Sequence, residues 1–103
     1  MPSSVLERPF LWKHLIASDQ VSTAQGTLHT ITINRGDPHA AAAVTVYDST
    51  AGVDGTHIIA TIAMDTALFV IPQTLVYDVQ FDHGLYLDFD VAMTLGDITV
   101  SYT

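Results

Sequence analysis

Apolar and polar residues alternate along most of this chain. From Gly84, the stretch GLYLDFDV places Leu85, Leu87, Phe89 and Val91 on one side and Tyr86, Asp88 and Asp90 on the other. Successive side chains of a strand point to opposite faces, so a period of two predicts a half-buried strand. The same period runs through TLVYDVQF (Thr74 to Phe81) and DITVSYT (Asp97 to Thr103). In TLVYDVQF it sets Leu75, Tyr77, Val79 and Phe81 against Val76, Asp78 and Gln80. In QGTLHTITI, from Gln25, it predicts His29, Ile31 and Ile33 on one face and Leu28, Thr30 and Thr32 on the other.

Further strand candidates are the short KHLIASD, then AAAAVTVYD, HIIATIAM and ALFVI. The four alanines have helical propensity, but four residues are too few for a helix and VTVY is strand material. NRGDPH, DSTAGVDGT, DHG and LGD are rich in turn formers and separate the strands. HIIATIAM and ALFVI are expected to form one hairpin, and the last two strands another, across the short loop at Gly96. No segment carries a helical period. Seven to eight strands, with turn signals every eight to twelve residues, predict an all-β antiparallel sandwich or barrel.

The chain has 103 residues, enough for one modest core. Residues 1–13 read as an N-terminal arm and 14–103 as a single β-sandwich domain. Pro2 and Pro9 resist regular structure, and Phe10, Leu11 and Trp12 follow as three large apolar residues in a row. They are expected either to cover one end of the core or to anchor in a neighbouring molecule.

Charge narrows the function. Three basic residues, Arg8, Lys13 and Arg35, stand against eleven acidic ones, for a net charge of −8. Such a balance argues against nucleic acid and against an anionic membrane as partner. MPSSVLERPFLW lacks the apolar run of a signal peptide, and no stretch approaches the length of a membrane span. Charged residues are only 14%, against roughly 25% in ordinary domains. Part of the surface is therefore expected to be covered by a partner.

Catalytic chemistry finds little support. There is no cysteine, hence no disulfide or thiolate site, and there is no GxSxG, phosphate-binding glycine loop or HExxH. No enzyme activity, cofactor or metal is expected. Asp88 and Asp90 share a face, with Asp78 placed on a neighbouring strand, and an exposed acidic face is the preferred reading over calcium binding. Asp48 and Asp54 fall in a loop without EF-hand spacing. Arg35-Gly36-Asp37 is read as a turn rather than an adhesion tripeptide, with Arg35 a candidate for an intersubunit salt bridge.

Two stretches, AAAVTVYDSTAGVDGTHIIATI (Ala41 to Ile62) and HGLYLDFDVAMTLGDITVSYT (His83 to Thr103), carry a family resemblance. They resemble the small all-β virion proteins of tailed bacteriophages that decorate or cement the head. The resemblance covers about half the chain and implies a jelly-roll-like sandwich. It also implies a homotrimer seated on a major capsid protein at the outer surface of the virion. The interface candidates, Phe10, Leu11, Trp12, Arg35 and the outward Val76, come from the residues themselves, and Phe10 to Trp12 lies outside the resemblance. The second reading is a phage tail or fibre component, or a carbohydrate-binding sandwich using Tyr47, Tyr86 and Trp12.

Overall fold

A computed structural model describes residues 10–39, 41–65, 72–91 and 93–103. The described residues form eight strands: β1 (Leu11–Leu15), β2 (Asp19–Ser22), β3 (Gly26–Arg35), β4 (Ala43–Tyr47), β5 (Ile58–Ala63), β6 (Gln73–Phe81), β7 (Leu85–Phe89) and β8 (Asp97–Tyr102). They make two four-stranded antiparallel sheets, ordered β1-β8-β3-β6 and β2-β7-β4-β5. The expected all-β two-sheet sandwich is present. The β1 strand begins at Leu11, inside the stretch read as an arm. KHLIASD is divided between β1 and the approach to β2, which lie in different sheets. The ALFVI segment lies outside the described residues.

The pairing is nested. β1 pairs with β8, β2 with β7, β3 with β6 and β4 with β5. The β3–β8 and β4–β7 pairs complete the sheets. Among the described strands, only β4 and β5 are consecutive in one sheet, and the other six consecutive pairs are divided between sheets. This corrects the expected hairpin of the last two strands. β8 lies between β1 and β3, and β7 lies between β2 and β4 in the other sheet. Alternation marks which face is buried, and two apolar stripes are satisfied equally by facing each other across a core or by lying side by side. Here Leu85 and Leu87 of β7 and Ile98 and Val100 of β8 all join one fully buried core. Both C-terminal strands are thus interior strands of their sheets.

Strand β3 departs from simple alternation. Its register with β8 runs Leu28↔Tyr102 and then Thr30↔Ser101, so His29 is an extra residue on that side. Its register with β6 also shifts there, next to Asp78, which has φ 49°. This bulge puts Leu28 in the core with Ile31 and Ile33, and His29 leaves it for a half-exposed position. The predicted grouping of His29 with Ile31 and Ile33 is corrected accordingly. A bulge carrying a charged Asp78 on edge strand β6 also discourages strand addition there.

Two aspartates fasten the ends of the sandwich. Asp37, two residues past β3, is fully buried. Its carboxylate accepts backbone N–H bonds from His39 (3.0 Å), Thr94 (2.6 Å), Leu95 (2.7 Å) and Gly96 (3.0 Å). It therefore staples the loop before β8 to the end of β3. Asp48, just past β4, accepts N–H bonds from Asp82 (2.8 Å), His83 (2.7 Å) and Gly84 (3.2 Å), the turn before β7. The two pairs held this way, β3–β8 and β4–β7, are sheet neighbours.

Candidate interaction face

The outer face of the first sheet is a continuous surface built by register. Trp12 on β1 lies opposite Ser101 on β8, Ser101 opposite Thr30 on β3, and Thr30 opposite Val76 on β6. The next row is His14, Thr99, Thr32 and Thr74. Residues opposed across antiparallel strands share a face, so these eight side chains form one patch. None of the eight is Lys, Arg, Asp or Glu. Trp12 is 72% exposed and Val76 66%.

The hydroxyls between them are largely spent on one another. Thr30 Oγ1 and Ser101 Oγ are 2.6 Å apart, Thr32 and Thr74 hydroxyls 2.9 Å, and Asn34 Nδ2 donates to Thr99 Oγ1 at 2.9 Å. Polar groups already paired within the patch give up less to water when it is covered. Phe10 adds to the face by stacking on His29, with ring centroids 4.0 Å apart and planes within 5°. His29 in turn pairs with Asp78. The Phe10-Leu11-Trp12 run is split by strand alternation. Trp12 points outward, whereas Leu11 lies on the core side, half exposed at the edge.

Arg35 is exposed at the end of β3 and sits opposite Asp97 in register, away from the Trp12–Val76 row. Asp37 of the Arg-Gly-Asp stretch is buried, so that tripeptide is not displayed. Burial would raise the Asp37 carboxyl, but the N–H groups of Leu95, Gly96, His39 and Thr94 outweigh it and hold it well below the usual range. Nothing short of its hydrogen-bond pattern would have revealed this role in sequence.

The second sheet presents a different exterior. Tyr47 is buried beside Tyr86, at 6.4 Å between ring centroids. The loop above is tied down by Gln20, which donates to Ser49 O at 2.6 Å and accepts from Gly52 N at 3.2 Å. The aromatic trio proposed for carbohydrate is therefore not assembled: Tyr47 is covered and Trp12 belongs to the other sheet. Asp78 and Asp88 are likewise on different sheets, not on adjacent strands. Asp88 receives a hydrogen bond from Ser18 at 3.2 Å.

At one end of the sandwich, Asp48, Ser49, Thr50, Ala51, Asp54, His57 and His83 line an open depression of about 260 Å³. Asp54 holds His57 Nδ1 at 2.8 Å and the Thr56 hydroxyl at 2.7 Å. The His57 hydrogen bond, then those of Thr56, bring the Asp54 carboxyl down to about 2. The same Asp54 bond raises His57 above its ordinary value. For Asp48, burial works upward, but the N–H bonds of Asp82, His83 and Gly84 and the His83 charge prevail and lower it. Among the described residues no group of three or more His, Cys, Asp or Glu side chains is arranged to hold a metal ion.

Comparison of the chain with family models, curated proteins and solved structures gives no match.

Proposed function

We propose that this protein is a non-enzymatic structural component of a virus particle, a head decoration or cement protein that self-associates through the outer face of its first sheet. The observation that carries this reading is the uncharged row Trp12, Ser101, Thr30 and Val76 on a chain of net charge −8. Copies so strongly acidic repel over most of their surface, and a patch that carries no Lys, Arg, Asp or Glu is where they can meet. Covering Trp12 alone would remove on the order of 150 Å² from water, a gross gain of about 4 kcal/mol.

The strand order supports a jelly roll as the finer description. Eight antiparallel strands nested about the β4–β5 hairpin and rolled into two sheets are the arrangement shared by many capsid and lectin domains. Fold alone does not assign function, so the virion role rests on the resemblance together with the uncharged Trp12–Val76 row. A trimer docked on the major capsid protein would multiply weak contacts into durable attachment. The direct test is to purify particles of the virus that encodes the chain and probe them for it. The protein is expected on the particle in many copies. Recovery only as free protein, never on particles, would overturn the assignment.

A further inference from the structure

We propose that His57 and His83 form a binding site for a single divalent transition cation of the zinc class, at the end of the sandwich away from any role in the Trp12–Val76 face. The two imidazoles come from different loops, His57 just before β5 and His83 in the β6–β7 turn. Their ring centroids lie 5.4 Å apart, with planes inclined by 49°. A metal bound at about 2.0–2.1 Å from each of two ring nitrogens in tetrahedral geometry separates the ring centres by about 5 Å. The pair is therefore already spaced for one shared ion.

The His57 ring is also oriented as a ligand, and the His83 ring has a carboxylate within reach. His57 Nδ1 meets the Asp54 carboxylate at 2.8 Å, and His83 Nδ1 lies 3.5 Å from Asp48 Oδ1. A carboxylate only accepts, so His57 Nδ1 carries the proton and the neutral ring keeps its lone pair on Nε2. This carboxylate–histidine arrangement is the one that fixes the tautomer and raises the basicity of metal-binding imidazoles. The hydrogen-bond and ion-pair contacts of both rings with described residues run through Nδ1, and both rings line the same open depression. The protein supplies two nitrogen ligands, and water completes the shell. Imidazole donors select zinc, copper or nickel over magnesium or calcium. A bound ion would tie the β4–β5 loop to the β6–β7 turn.

The test is a Zn²⁺ titration of the full chain at pH 7.5, read by NMR of the imidazole C–H signals and by calorimetry. One ion per chain is expected, with the His57 and His83 signals moving together while those of His14, His29 and His39 stay still. His57→Gln and His83→Gln should each weaken binding at least tenfold, Asp54→Asn should weaken it about tenfold, and His14→Gln should leave it unchanged. His57 and His83 have side chains 49% and 59% exposed, so their variants are expected to fold, which circular dichroism checks. Absence of binding, an equal response of all five histidines, or an affinity within twofold of the parent in His57→Gln or His83→Gln would overturn the site.

Discussion

Asp37 shows how much one buried carboxylate can organise. Its four backbone N–H partners lie in two separate segments, so its removal orphans donors on both. Asp37→Ala is expected to cost about 3 kcal/mol, since each buried group left unpaired costs roughly 1–3 kcal/mol. At this chain length that lowers Tm by about 15 °C, measurable by calorimetry. The pH dependence has a definite sign. The folded carboxyl is depressed, so its contribution is full above the unfolded value near 3.9 and is lost as pH falls toward the folded one. Asp37→Ala should therefore flatten the stability profile below about pH 4. Gly84 makes a second residue-scale prediction. A Cβ there would sit 2.6 Å from Ser49 O and 2.7 Å from Ser22 O, both backbone atoms. Gly84→Ala should destabilise by about 1–3 kcal/mol in a denaturant titration. Neither role was legible in the sequence, where Asp37 and Gly84 look like ordinary turn residues: both act on backbone brought close only by the tertiary fold.

At the scale of elements, the strands themselves were largely legible. Leu85, Leu87, Ile98 and Val100 declared their inward faces by period two, and the structure buries them all. What periodicity could not supply was neighbourhood, as the separation of β7 and β8 into different sheets shows. Nor could it locate the bulge, because an extra residue changes phase without any special residue type. Of the interface candidates, Val76 was legible as an outward apolar residue, whereas Trp12 read as part of an arm that could cover the core or anchor in a neighbour. Their joining into one row through Ser101 and Thr30 required the order β1-β8-β3-β6. The bulge can be tested directly. Leu28→Ala should cost about 2–5 kcal/mol, like Ile31→Ala, whereas His29→Ala should cost well under 1 kcal/mol. Similar losses at positions 29 and 31 with a small one at 28 would restore unbroken alternation.

The whole molecule is acidic, and histidine is a frequent neighbour of its aspartates. Four of five histidines lie beside an aspartate: His14 by Asp97, His29 by Asp78, His57 by Asp54 and His83 by Asp48. Self-association should strengthen with added salt, as repulsion between copies of net charge −8 falls. His57 adds a stability effect of defined sign. Its pKa is raised on folding, so its contribution is full below about 6.5 and is lost as pH rises through the folded value. The central claim is that copies meet through the first sheet. Sedimentation equilibrium over a range of concentrations, on the parent chain and on Trp12→Lys and Val76→Lys, tests it most directly. The parent mass should rise to three times 11.1 kDa, and the folded variants should remain at 11.1 kDa. A parent that stays monomeric throughout, or lysine variants that assemble as well as it does, would contradict it.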